Sequence, residues 1–528
     1  MLSDHRNKFF MLLWLLPGFL LWAAFPPLGE TADSLFALAP LMWLSRTGRV
    51  GESTHKWLLN GLFFWVATLS WMPAIVKNGG PWPLVVLGWI GLAAYCAIYF
   101  AAYGYLSARY WRWARSSEEY GRRLLGVVFV EPVLWCGLEL VRSRLFGGFA
   151  WNQLGVAVVN AGFGSPAELG GVYLCSAIVV LVNGTFVGIA ERMMRRAPRL
   201  AAIETILAFV LIAGIYSQTR LNWRRGERED AHALKVALIQ RNFPCCFAVQ
   251  DEDPFTIYSN LVQNVALMRP DLVVLPESAL SEFGGVESSW SVALADSIRE
   301  ATAGGALLAG GGRREGTKSF NSAALYDFSG GVRTIGLYDK VHLVPFGEYI
   351  PFDKLIPVLQ RLAPVGSCTP GLERLLDFRG RKLGIAICFE DTDSALMRRA
   401  ARAGAQALVF MTNDSWFSRS VEAEQHAWQA LARAIETGLP VVRVGNNGLT
   451  GTLSPAGEAS WLVGPNGKAL QEARGTMFDR IELPSAGAPT VYVVLGDWPL
   501  GLVFSLLIFG MILVEYRSNH EKRRDMSL

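Results

Sequence analysis

The hydrophobic pattern divides the chain into two kinds of segment. Over the first 216 positions, and again near the C-terminus, apolar residues run on with little interruption at 9–25, 35–44, 57–76, 83–106, 124–140, 169–190, 200–216 and 491–514. A helix needs about 20 predominantly apolar residues to cross the hydrocarbon core of a bilayer. Most of these runs reach or approach that length, 35–44 being the short one, and the pattern predicts a multi-span helical membrane bundle of about eight spans. The first run follows His5, Arg6 and Lys8 as a signal peptide would, but Phe25, Pro26, Pro27 and Leu28 offer no small-residue cleavage site, so a retained helix is expected.

From Leu234 the pattern changes to short runs rich in Val, Ile and Leu, at 236–239, 272–275, 306–309, 323–326, 383–387, 407–411 and 441–444. Several are separated by amphipathic helical segments. Trp428, Leu431 and Ile435 share one face of such a helix, which should stop at Gly438 with Pro440 beyond it. Strands alternating with helices predict a layered α/β domain. The expected organisation is a membrane bundle over 1–219 with spans one to seven, an α/β domain over 220–489, and a last span with a basic tail over 490–528.

Charge adds an orientation. Arg46, Arg49 and Lys56 share one connection, Arg109, Arg112, Arg115, Arg122 and Arg123 another, and Arg192, Arg195, Arg196 and Arg199 a third, while Arg517, Lys522, Arg523 and Arg524 lie in the tail. All fall on one side if the N-terminus is cytoplasmic and the spans number eight, and that side is the cytoplasm because Lys and Arg concentrate there. The alternate connections are poorer: 26–34 has no Lys or Arg and 77–82 has one Lys. Arg142, Arg144, Arg220, Arg224 and Arg225 run against the trend, although long domains translocate largely regardless of charge. The α/β domain is therefore expected outside the cytoplasm.

Composition agrees: 52% of the 528 residues are hydrophobic, with 18 Trp and 29 Phe. The net charge of +4 is small and topology accounts for the basic residues, so no nucleic-acid partner is expected. Of seven cysteines, Cys96, Cys136 and Cys175 fall in spans, leaving Cys245, Cys246, Cys368 and Cys388 in the outer domain. An oxidising compartment permits disulfides, but a domain of this size does not need them and adjacent Cys245 and Cys246 make an awkward pair.

The candidate chemistry sits just past strand ends. Glu277 follows 272–275 and Pro276, Cys388 follows 383–387, and Asn413 and Asp414 follow 407–411; Lys340 lies in Tyr338-Asp339-Lys340-Val341-His342. Active sites of α/β sheets gather at the C-terminal ends of strands, so these groups are placed to converge. Singly, each has a plain alternative: Cys388 as a buried small hydrophobe, Glu277 as a neighbour of a helix cap, Lys340 as a solvated charge, Asn413 as an Asx-turn. Together they make a covalent catalyst. Glu277 can take the thiol proton, and Cys388 can attack an acyl carbonyl. Lys340 can lower the thiol pKa and, with the backbone N–H after Cys388, stabilise the oxyanion. The resulting thioester would pass its acyl group to an amine or water with ping-pong kinetics. His342, two residues from Lys340, reads as structural, and His426 begins an amphipathic helix; neither has metal-ligand spacing. No P-loop or dinucleotide glycine fingerprint appears in this domain, and neither a metal nor a cofactor is expected.

These residues resemble the carbon–nitrogen hydrolase, or nitrilase, superfamily, through Leu-Pro-Glu-Ser at 275–278, Tyr-Asp-Lys-Val-His-Leu at 338–343 and Ile-Cys-Phe-Glu at 387–390. More narrowly, the segment from Lys340 to Pro351, Thr412-Asn-Asp-Ser-Trp-Phe417, Gln425-His426 and 443–448 are similar to the apolipoprotein N-acyltransferase family. So are Phe25-Pro-Pro, 61–71, and Trp135, Glu139, Arg142, Gly147, Phe149 and Trp151 of the bundle. The resemblance covers nearly the whole chain. It implies a nitrilase-like αββα sandwich with a Glu277, Lys340 and Cys388 triad, supported by Glu348 and by Phe389, Glu390 and Asn413. It also implies a bacterial inner-membrane enzyme that takes an acyl chain from a phospholipid and gives it to a diacylglyceryl-cysteine lipoprotein. Its catalytic domain would face the periplasm, and a monomer is expected. The chain departs from the family pattern at Leu275 (Trp is common), Phe389 (Tyr), Ser415 (Gly) and Val249 (Trp). Two other readings stay open: a membrane-tethered amidase or nitrilase hydrolysing small amides, and a membrane binding or transport protein with a decayed catalytic domain.

Overall fold

The computed structural model describes residues 14–116, 120–194, 205–216, 232–243, 254–280, 289–302, 305–328, 332–351, 366–417, 420–484 and 489–525. Val249, Cys245 and Cys246 lie outside them. The chain forms two compact units. One comprises Met1–Ser70, Gly88–Asn222 and Leu495–Leu528, and the other Trp71–Leu87 and Trp223–Val494.

Among the described residues, five helices are long and apolar enough to span a membrane: Val50–Asn78, Trp82–Arg115, Tyr120–Arg142, Ala167–Met194 and Trp498–Arg517. They correspond to five of the expected runs. The run at 35–44 is broken into two short helices, Ser34–Ala37 and Ala39–Thr47. Thr205–Tyr216 is a shorter apolar helix, and the described part of the first run forms Leu16–Ala23. Inside the bundle a low-dielectric interior favours pairing of charged groups. Arg46 donates to Glu131 at 2.6 Å and to the Gly184 carbonyl at 3.0 Å, and Glu131 also accepts from Trp111 Nε1 at 2.9 Å. Removing one partner of such a buried pair typically costs about 3–5 kcal/mol. Arg142, which ran against the charge asymmetry, is buried and donates to the Phe149 and Trp151 carbonyls at 2.8 and 2.9 Å. It is a structural cation, and Arg144 pairs with Asp497.

The second unit contains two six-stranded sheets. Strands β1 (His232–Gln240), β2 (Leu272–Val274), β3 (Ala306–Glu315), β4 (Lys318–Asp327) and β5 (Arg333–Asp339) lie in that spatial order in the first sheet, with β12 (Gly475–Leu483) outside β1. The second sheet runs β11 (Ala459–Trp461), β10 (Gly451–Leu453), β9 (Val441–Gly445), β8 (Ala407–Thr412), β7 (Arg381–Ile387) and β6 (Leu375–Phe378). Strands β1, β2 and β3 are mutually parallel, as are β7, β8 and β9.

Side chains alternate across each strand, and both faces are covered. On one face Leu234, Val236, Leu238, Leu272 and Val274 meet Leu383, Ile385, Ile387, Val409 and Met411 in the core between the sheets. The intervening Ala237, Ile239, Val273 and Leu275 pack against Ile257, Tyr258, Leu261 and Val262 of helix α1 (Pro254–Ala266). Helix α2 is Ser289–Thr302, whose Ile298 joins that same core. A fully buried Val, Leu or Ile side chain contributes about 1.5–3 kcal/mol. Helices α3 (Ser394–Arg402) and α4 (Glu422–Thr437) pack with the second sheet, completing the αββα sandwich. The α3 start is capped by Asp393, which accepts from Ala395 and Leu396 N–H at 2.9 and 3.2 Å. Helix α4 ends at Gly438 in the left-handed region, where the sequence places its stop.

All seven strands expected from apolar runs are present. The sequence pattern does not reveal β5, β6 or β10 to β12, which pair antiparallel with their neighbours. Strand β5 and strand β12 keep partly exposed residues among buried ones, so neither reads as a continuous apolar run.

Candidate active site

The candidate residues leave the two sheets at strand C-termini. Past β2, Leu275 N–H still bonds the Leu308 carbonyl at 2.9 Å, and the chain then turns through Pro276, Glu277 and Ser278, the last at φ 54°. Gly310 on β3 makes room for this turn. A Cβ there would lie 2.6 Å from the Pro276 oxygen and 2.7 Å from Glu277 Cα, so the close approach requires glycine.

Lys340 follows β5 and is held through its backbone. Its N–H donates to the Asn321 carbonyl, and its own carbonyl accepts from Gly371, both at 2.8 Å. Its side chain is 1% exposed, and Nζ lies 2.9 Å from Glu348 Oε2 and 3.9 Å from Glu277 Oε1. Asn321 Nδ2 lies 2.7 Å from both Glu277 Oε1 and Glu348 Oε1, and Val344 N–H donates to Glu348 at 2.8 Å. One ammonium thus serves two carboxylates.

Cys388 ends β7 and opens a five-residue 3-10 turn, Cys388–Thr392, with φ 54°. A non-glycine residue in the left-handed region is uncommon and persists only where its surroundings hold it. Glu390 supplies part of that hold. It accepts from Ile387 N–H at 2.8 Å, Val341 N–H at 2.7 Å, His342 N–H at 2.9 Å and the Tyr338 hydroxyl at 3.0 Å. The carboxylate therefore ties the turn of Cys388 to the segment of Lys340 across the two sheets.

Electrostatics assigns protonation states. Burial raises Glu277 to about 7; Glu348 adds to the rise, while Lys340 and the Asn321 bond oppose it. Burial pulls the Lys340 ammonium down, but Glu348, Glu277, Cys388 and Glu390 outweigh it and hold the group above the ordinary lysine range. Burial and then Glu277 push the Cys388 thiol well up, overriding the lowering by Lys340. Lys340 lowers the thiol pKa, as its residue type leads one to expect, but the net direction is upward, because a desolvated thiolate beside carboxylates costs more than one lysine returns. The resting thiol is protonated, and a base that accepts near pH 7 stands with it.

The supporting residues divide. Glu348 and Glu390 belong to the site. Phe389 is half-buried beside Cys388. Asn413 Oδ1 accepts from Asn446 Nδ2 at 2.9 Å and the Ser415 hydroxyl at 2.7 Å, joining the turns after β8 and β9. The hydroxyl introduced by Ser415 is thereby used, and Leu275 is buried in the core against α1. His342 Nδ1 pairs with Asp393 at 2.8 Å, the structural role expected for it.

Sequence reasoning missed Asn321 and a second buried cluster. His426 of α4 lies between Asp391, 2.9 Å from Nε2, and Asp414, 3.0 Å from Nδ1. Arg443 of β9 approaches both aspartates, at 3.6 and 3.7 Å, and Glu422 lies 3.6 Å from His426. Burial lowers the His426 pKa, but Asp391 and Asp414 outweigh it and raise it to about 10. Asp414 is held below the ordinary carboxylate range by His426 and Arg443 against its own burial. Burial and Asp414 push Glu422 well up. Asp414, Glu422 and His426 present ligand atoms within 4.8 Å of one another, and both ring nitrogens of His426 face aspartates. The only signal for this cluster in the sequence was that Asp414, His426 and Arg443 fall in three of the family-like pieces, with nothing to say that they meet.

Such a site on an αββα sandwich, in a chain that also carries spanning helices, defines a membrane-anchored enzyme of the carbon–nitrogen hydrolase class. Residues 235–485 match the family model described as carbon-nitrogen hydrolase, and residues 17–185 match that of the apolipoprotein N-acyltransferase N-terminal domain. An apolipoprotein N-acyltransferase of Geobacter metallireducens is 33% identical over 462 residues, covering 84% of this chain and 85% of its own. One of Methylococcus capsulatus is 30% identical, covering 96% and 97%. The chain belongs to the apolipoprotein N-acyltransferase family. An amidase of the nitrilase superfamily from Nesterenkonia AN1 aligns with 52% of this chain and 97% of its own at 20% identity and a TM-score of 0.36. The family match extends through the bundle, which the small-amide reading leaves without a role and which therefore does not favour it.

Proposed function

We propose that this enzyme moves an acyl chain from a membrane phospholipid, through a thioester on Cys388, to the N-terminal α-amine of diacylglyceryl-cysteine lipoproteins. The observation that carries the reading is the shared cation: Lys340 held between Glu277 and Glu348, with Glu390 joining its segment to the Cys388 turn. In the first half-reaction Glu277 takes the Sγ proton as sulfur attacks the ester carbonyl of the phospholipid. Lys340 and the N–H of Phe389 stabilise the oxyanion. Collapse breaks the ester C–O bond, and Glu277 returns its proton to the leaving alkoxide, which departs as lysophospholipid. In the second, the α-amine attacks the thioester, Glu277 removes the amine proton, and the expelled sulfur takes it back.

The base must be weak enough to give the proton up again, and a carboxylate near pH 7 meets that need. The asymmetry of the basic residues supports a periplasmic catalytic unit, where both lipid-anchored substrates present their reacting groups. The test is a mass spectrum of a lipoprotein N-terminus from a strain whose sole enzyme of this family carries Cys388→Ala. The expected product is the diacyl form with a free α-amine; a fully acylated amine would overturn the assignment.

A further inference from the structure

We infer that the ion cluster centred on His426 is a positioning device for the nucleophile turn, an inference that rests on the acyl-transfer reading above. Asp391 belongs to the same 3-10 turn as Cys388, three residues on, while Asp414 heads the turn after β8. One imidazolium therefore links the C-terminal turns of adjacent strands, with Arg443 reaching both aspartates from β9. All four side chains are at most 3% exposed, so solvent does not screen these charges. Two cations meet two aspartates here, with Glu422 beside the imidazole.

The fit is close. A Cβ on Gly448 would fall 1.9 Å from Asp414 Oδ2, so the backbone of the turn after β9 is pressed against that carboxylate. The turn that bears Cys388 is then held at three points. Glu390 bonds its entry, Asp391 is gripped by His426 and Arg443, and Arg433 donates to the Thr392 carbonyl at 2.9 Å at its exit. A thiol at positive φ keeps its aim only if the turn is fixed in this way. His426 acts through Asp391 on the placement of sulfur and touches no substrate, so its loss should reduce turnover and leave substrate affinity alone.

The experiment uses the full chain purified in detergent as wild type, His426→Gln, and the double variant Asp391→Asn with His426→Gln, which removes one charge of each sign. Each is measured for kcat and KM with phospholipid donor and a diacylglyceryl lipopeptide, for thermal midpoint, and for the rate of Cys388 alkylation by iodoacetamide. His426→Gln should lower kcat per folded molecule about 100-fold with KM within about twofold, and slow alkylation in step. The double variant should recover to about tenfold below wild type, because removing one charge of each sign restores the wild-type charge balance while the ionic link stays broken. Wild-type kcat in either folded variant, or a change confined to KM, would overturn the inference; if the single variant does not fold, the double decides. Failure of the wild type to acylate Cys388 at all would instead remove the underlying acyl-transfer reading.

Discussion

Two buried ion clusters flank the turn of Cys388, and they differ in the cations they hold. Around Lys340 a single cation faces two carboxylates, Glu277 and Glu348. Around His426 two cations, His426 and Arg443, face two aspartates, with Glu422 beside the imidazole and its pKa pushed well up by burial and Asp414. Burial penalises every charge in both: beside the lone ammonium it leaves Glu277 at about 7, whereas beside the two cations His426 is raised to about 10 and Asp414 is held below the ordinary carboxylate range. In the proposed reading the first cluster supplies the proton acceptor and the second a scaffold, and the contrast is between two carboxylates sharing one cation and three sharing two.

Substituting one carboxylate in each cluster breaks or sharpens this contrast. The largest effect is expected at Glu277. Only the ionised carboxylate accepts the thiol proton, so wild-type acylation should fall as pH drops below about 7. Glu277→Gln should lower the rate of acyl-enzyme formation about a thousandfold and flatten that acid limb, while the amide oxygen can still accept from Asn321. Stopped-flow acylation at stepped pH reads both; a surviving limb at the same pH would assign the base elsewhere. The smallest effect is expected at Glu422→Gln. Burial and Asp414 push its carboxyl pKa well up, towards the neutral form that an isosteric amide mimics, so the variant should keep kcat within about twofold and the thermal midpoint within a few degrees. A large loss in steady-state assays would show that the cluster depends on the Glu422 charge.

The two clusters were also unequally legible in the sequence. Glu277 and Cys388 follow strands buried on both faces, which read as continuous apolar runs, so the first chemical residue after each run marks the strand end. Lys340 follows β5, whose partly exposed pattern hides the strand, and only the family-like segment around it pointed there. Asn321 sits inside β4, where nothing in the local pattern separates it from an ordinary strand residue. The His426 cluster gathers residues from a 3-10 turn, a strand-end turn, a helix and a strand, a convergence that depends on sheet order rather than spacing. The net rise of the thiol was not legible for a related reason: the lowering by Lys340 can be inferred from residue types, but the extent of burial that outweighs it cannot. In the bundle, likewise, hydropathy registered Arg142 as a boundary charge because it does not reveal the carbonyls of Phe149 and Trp151 that hold it.

In the proposed reaction Cys388 carries the acyl group and Glu277, beside Lys340, is its base. Intact mass spectrometry of the purified protein after incubation with phospholipid alone, in the absence of any acceptor amine, tests it most directly. The account predicts one added acyl mass on the wild type that hydroxylamine removes and that is absent from Cys388→Ser. An unmodified wild-type protein, or an adduct that persists in Cys388→Ser, would contradict it.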